Sequence, residues 1–73
     1  MLSGKKFRIK KSTLAIESAA DGNRTVVTVP IGAFIKVVSG PTPADQRMID
    51  IIWDEIHLVM FAVDLKERGE EIR

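Results

Sequence analysis

The sequence predicts a β-rich domain, and three observations carry that reading. Asp21-Gly22 is a hairpin signal with apolar residues that match across it. Period-two alternation of apolar and polar residues runs through Lys5–Lys11 and again through Ala33–Ser39. A second candidate turn, Asp54-Glu55, lies between two segments rich in β-branched residues.

In Lys5–Lys11, Phe7 and Ile9 point one way and Lys6, Arg8 and Lys10 the other. The apolar phase then moves from odd to even numbers at Leu14 and Ile16, which predicts a bulge or bend near Lys11-Ser12-Thr13. With Asp21 and Gly22 as a two-residue loop, Ile16 faces Val27 and Leu14 faces Val29 on one side. Glu17 faces Val26, and Ala15 faces Thr28, on the other. Thr25–Val29 is strongly β-branched, and Val29-Pro30-Ile31-Gly32 fits a type I turn, with Pro second and Gly fourth. Ala33, Ile35 and Val37 then share one face of a strand, with Phe34 and Val38 on the other. Gly40-Pro41-Thr42-Pro43 is loop.

The stretch from Thr42 to Gly69 admits two readings. Thr42 as cap, Pro43 at the first helical position and Asp45 in a box-like start favour a helix ended by Gly69. A polar stripe of Arg47, Asp50, Asp54, His57, Asp64 and Arg68 agrees with it, interrupted only by Phe61. The competing reading is a hairpin turning at Asp54-Glu55. Trp53 then faces Ile56, Ile51 faces Leu58 and Ile49 faces Met60, with Met48 against Phe61 on the reverse side. Ile49, Ile51, Ile52, Ile56, Val59 and Val63 are β-branched, a heavy load for a helix.

A resemblance favours the strands. Gly32–Gly40, then Ile49-Asp50-Ile51-Ile52-Trp53-Asp54, then Val59–Leu65 is similar to the strand series of SH3-like small barrels, in particular short stand-alone bacterial proteins with no assigned activity. The resemblance spans roughly residues 5–68. It implies an all-β SH3-like barrel of five or six short antiparallel strands, with a short helical turn near the C-terminus. The alternative is β-hairpins plus one long C-terminal helix. The expected organisation is a flexible lead-in over residues 1–4, one barrel domain over 5–66, and a charged tail over 67–73 that frays as a helical turn.

Seventy-three residues make one domain with a thin core. There is no cysteine, which rules out disulfides and thiolate metal sites and suits a reducing cytoplasm. The first residues lack the apolar run of a signal peptide. The longest apolar run, Ile56–Val63 broken by His57, is far short of the roughly 20 residues that span a bilayer. A soluble cytoplasmic protein without membrane association is expected.

The residues offer little chemistry. His57 is the single histidine and, in the hairpin reading, stands opposite Ile52, which is no catalytic partner. Asp50, Asp54, Glu55 and Asp64 lack the spacing of a metal loop and read as turn or solvated positions. Gly22, Gly32 and Gly40 form no phosphate loop. Trp53 is expected at the core or its rim. No enzymatic activity, cofactor or metal is therefore expected.

Two binding readings remain. The first is a non-enzymatic interaction module that binds a protein partner, or itself, through a barrel face or sheet edge. Exposure of Met48, Ile52, Val26 or Val38 on the second face would support it. The second is nucleic-acid binding through the basic N-terminal strand. Residues 1–40 carry seven basic and two acidic groups, and residues 41–73 four basic and eight acidic. Lys6, Arg8 and Lys10 would project about 6.6–6.8 Å apart, and Lys11, Arg24 and Lys36 would widen this candidate polyanion-binding patch. Against it, no aromatic residues interleave with the basic ones, and lysine also protects edge strands. The asymmetry equally suits two halves that complement each other in one fold.

Overall fold

The computed structural model describes residues 3–72. It contains seven strands and one short helix: β1 (Lys6–Ile9), β2 (Thr13–Ser18), β3 (Arg24–Val29), β4 (Phe34–Ser39), β5 (Met48–Trp53), β6 (Ile56–Phe61), α1 (Ala62–Arg68) and β7 (Gly69–Ile72). The strands form a single open antiparallel sheet in the order β3-β2-β6-β5-β4-β1-β7. The strand count exceeds the expected five or six, and β3 and β7 are left as edges.

Chain connectivity forces this sheet to coil. Ile9 and Thr13 are joined by a link that reaches at most about 14 Å. In a flat sheet, the four steps from β1 through β4, β5 and β6 to β2 would separate those strands by about 19 Å. Curling brings the end of β1 back towards the start of β2, and α1 sits beside that junction. The Lys10 and Lys11 amides donate to the Arg68 carbonyl at 2.6 and 3.2 Å, and the Arg68 guanidinium donates to the Ser12 carbonyl at 2.8 Å. Leu65 of α1 is fully buried.

The core lies on the inner face of the curl. Phe7 and Ile9 of β1, Ala15 of β2, Val29 of β3, Ile35 and Val37 of β4, Ile49 and Ile51 of β5, and Leu58 and Met60 of β6 are buried there. Trp53 is half-buried and packs against this cluster, at the core rim as expected.

The C-terminal half is pleated. The β5–β6 register pairs Trp53 with Ile56, Ile51 with Leu58, Ile49 with Met60 and Met48 with Phe61, as the hairpin reading requires. Asp54 and Glu55 both have positive φ, 52° and 67°, the type I′ geometry whose twist matches a tight hairpin. The long-helix alternative is thereby excluded. Its start signal is nevertheless a real local structure. The Asp45 amide donates to Thr42 Oγ1, and the Asp45 carboxylate accepts from the Arg47 and Met48 amides, so the capping residues close an isolated turn that leads into β5.

Four expectations need correction. The first hairpin does not use a two-residue loop. Ala19 donates to the Asn23 carbonyl and Gly22 to the Ala19 carbonyl, with Gly22 at φ 89°, so the loop is Ala20-Asp21-Gly22. The register therefore moves by one residue: Leu14 faces Thr28, Ala15 faces Val27 and Ile16 faces Val26. The slip turns the β2 side chains to the other face, while Val27 and Val29 of β3 keep the core side expected of them. Leu14 is 56% exposed, whereas Ala15 and Thr13 are buried.

Second, the chain does bend at Lys10-Lys11, beside the expected place, but the inner face keeps to odd numbers from Phe7 through Thr13 and Ala15, so the expected change of phase does not occur. Third, the turn after β3 is displaced. Ala33 donates to the Pro30 carbonyl and Gly32 has φ 89°, which makes Pro30 the first residue and Gly32 the third, as in a type II turn. Fourth, the charged tail does not fray as a helix. The helical turn comes earlier, at Ala62–Arg68, and Gly69–Ile72 pairs with β1. Within the expected lead-in, Met1 and Leu2 lie outside the described residues. Ser3 and Gly4 are bonded to the carbonyls of Val38 and Val37.

Candidate binding surface

The outer face of the curl carries the residues on which both binding readings rest, and it divides into two regions.

The first region is basic. Lys6 of β1 lies directly opposite Lys36 of β4, and Arg8 lies opposite Phe34. The new strand β7 changes the electrostatics. Glu70 is the cross-strand neighbour of Arg8 and pairs with it at 3.7 Å, and Lys5 reaches Glu71 at 3.4 Å. Both pairs are half-exposed, so each contributes at most about 1 kcal/mol. Their effect on the patch is larger than their effect on stability, because each places a carboxylate among the cations. Lys10 and Lys11 follow β1 at its junction with α1. Arg24 stands on a strand that pairs with neither β1 nor β4. It opens β3, at the opposite edge of the sheet order, and lines a groove of about 340 Å³ with Ser18, Ser39, Asp45 and Asp50. The structure therefore brings together Lys6, Arg8 and Lys36, sets Lys10 and Lys11 beyond them, and leaves Arg24 outside the paired strands that form the patch.

The second region is apolar and lies across β3, β2 and β6. Val26 faces Ile16, which in turn faces Val59. Leu14 is next along β2, and Phe61 next along β6. Val26, Leu14 and Phe61 are 64%, 56% and 47% exposed. Together with Ile16, Val59, Met60 and Asp64 they line a shallow, mostly apolar depression. Val38 is also exposed, and Met48 and Ile52 are half-buried. Val26, Val38, Met48 and Ile52 were named from alternation alone. Leu14 was missed because the two-residue loop put it in the core.

Edge strand β3 borders this apolar region. Its hydrogen-bonding phase follows from the loop. The Ala19–Asn23 bond marks a hydrogen-bonded pair, and the two-residue repeat of an antiparallel ladder makes Glu17–Thr25, Ala15–Val27 and Thr13–Val29 pairs of the same kind. The N–H and C=O groups of Arg24, Val26 and Thr28 therefore point away from β2. Among the described residues, no backbone bond outside the ladders reaches these three. Beyond Arg24 the strand reads Thr25-Val26-Val27-Thr28-Val29, with no charge and no proline. Charge, proline and bulges are the devices that normally keep an edge from pairing. The other edge, β7, carries Glu70 and Glu71.

The remaining candidates for chemistry are dispersed. His57 is exposed opposite Ile52. Asp50 accepts a 2.8 Å hydrogen bond from Ser39, Asp54 and Glu55 form the β5–β6 turn, and Asp64 lies in the first turn of α1. Among the described residues, no three His, Cys, Asp or Glu side chains converge as metal ligands, and no helix is long and apolar enough to cross a membrane.

Compared with protein-family models, curated proteins and solved structures, the chain matches none.

Proposed function

We propose that this protein is a non-enzymatic interaction module that binds a protein partner through the β3 edge and the apolar outer face beside it. The observation that carries the reading is the coincidence of two unfilled features. Outward-facing backbone groups at Arg24, Val26 and Thr28 border a patch formed by Leu14, Ile16, Val26, Val59 and Phe61. An extended segment added at such an edge gains main-chain hydrogen bonds, and alternate side chains give it specificity. A likeness to the small stand-alone SH3-like barrels and a cytoplasmic location remain part of the same proposal. The function rests on the edge and not on that likeness.

The test compares the partners captured by three immobilised forms of the full chain: the wild type, Val26→Lys, and Lys6→Ser/Arg8→Ser/Lys10→Ser. Partners held by the wild type and the triple variant but lost by Val26→Lys support the edge. Partners retained by Val26→Lys overturn it.

One observation favours a second reading, polyanion binding. Lys6 and Lys36 are directly opposed, an arrangement that costs stability unless an anion lies between or above them. Binding of single-stranded RNA or DNA should then weaken steeply with salt and disappear in the Lys6→Ser/Arg8→Ser/Lys10→Ser variant. Absence of binding at low salt ends this reading.

A further inference from the structure

The β3 edge is self-complementary, and from this we infer that its partner is a second copy of this chain, joined by a two-fold β3–β3 pairing centred on Val26. The inference rests on the edge reading above and names its occupant.

Two conditions and a count of bonds fix the register. Only Arg24, Val26 and Thr28 offer outward backbone groups between Arg24 and Val29, so they must form the hydrogen-bonded pairs. Directly opposed residues share a face, so the outer faces of the two copies continue into one another only if these residues meet each other. A two-fold axis at Val26 satisfies both conditions. It sets Val26 against Val26 and Arg24 against Thr28 of the second copy, giving about six interchain backbone bonds. An axis at Val27 also matches the faces, but it puts Arg24 against Pro30, which has no N–H to donate and whose carbonyl already accepts the Ala33 amide. The Val26 register therefore forms more bonds.

Electrostatics and symmetry agree with it. Arg24 lies opposite a threonine and not opposite its own copy, so no like charges meet across the junction. Val26, 64% exposed in the single chain, meets an identical side chain at the axis, and the two apolar outer regions become continuous. The contact is isologous and closes at two copies. Pairing β3 with β7 of another copy would be heterologous and would propagate, but Glu70 and Glu71 make that edge a poor match for an uncharged strand.

Because residue 26 opposes itself, charge exchange at that one position tests the axis. Sedimentation velocity is measured on the full chain from micromolar to millimolar concentration, for the wild type, Val26→Lys, Val26→Glu and an equimolar mixture of the two variants, with circular dichroism confirming that each folds. The expected result is a wild-type dimer, loss of the dimer in each variant alone, and its return in the mixture. A dimer that survives in both variants overturns the pairing and the edge reading together. A mixture that stays monomeric beside a dimeric wild type overturns the Val26 axis. A wild type that is monomeric throughout overturns self-pairing. The edge reading then survives if Val26→Lys still loses a captured partner, and falls if it does not. If a variant fails to fold, Thr28→Pro replaces it. That change removes an outward N–H at an edge position that tolerates proline and is expected to abolish the dimer, and persistence of the dimer overturns the pairing.

Discussion

Two residues hold conformations or environments that cost stability, and each can be relieved by a single substitution. Glu55 adopts φ 67° in the β5–β6 turn, a left-handed conformation that disfavours a side chain with a Cβ. Glu55→Gly makes the turn Asp-Gly, the preferred type I′ pair. Relief of about 1–2 kcal/mol of strain exceeds the roughly 0.5–1 kcal/mol of added chain entropy, so the melting temperature should hold or rise by a few degrees in a thermal scan. Thr13 is buried at 3% exposure, and its Oγ1 finds no hydrogen-bond partner among the described residues. Thr13→Val keeps the shape and removes the orphaned hydroxyl. It should stabilise the fold by about 1 kcal/mol in urea titration. Thr13→Ser keeps the hydroxyl and removes packing, so it should destabilise.

Among the elements, β7 shows how a short charged segment becomes a strand. Gly69 follows α1 directly, and a Cβ there would meet the Leu65 carbonyl at 2.7 Å and the Leu65 side chain at 3.0 Å. Its φ is −114°, so the constraint is close approach and not backbone geometry. Gly69→Ala should cost about 1–3 kcal/mol by forcing α1 and β7 apart, measured by denaturant unfolding. By contrast, Glu70→Gln should change stability by less than about 1 kcal/mol, because its pair with Arg8 is half-exposed.

The elements also show what could be read before the structure. The β5–β6 hairpin was legible pair by pair, because its apolar residues are bulky on both sides of the turn and only one register aligns them. The β2–β3 hairpin was legible as a hairpin but not in register. Leu14 and Ile16 are larger than Thr13 and Ala15, so size pointed to the wrong face, and the three-residue loop with Gly22 in the left-handed region decided otherwise. β7 was illegible because Glu70 and Glu71 match no apolar pattern. Its strand character comes from an acidic segment meeting the basic β1, a contact visible only in three dimensions.

At the scale of the whole molecule, a short β1–β2 link requires a coiled sheet, and the coil leaves two edges with opposite characters. The acidic β7 edge lies against the basic strand and reduces the cation patch that the N-terminal sequence suggests. The uncharged β3 edge keeps its outward backbone groups beside an apolar surface. The sequence contained every residue of that surface. The edge itself depends on strand order, which alternation does not encode.

Residue-resolved amide hydrogen exchange on the full chain, at low and then high protein concentration, tests this account most directly. In dilute solution the Thr25, Val27 and Val29 amides should be protected while those of Val26 and Thr28 exchange rapidly. Raising the concentration should slow Val26 and Thr28 and leave their odd-numbered neighbours unchanged. Protection of Val26 and Thr28 that is already present in dilute solution, or that does not respond to concentration, would contradict a free β3 edge that pairs with its own copy.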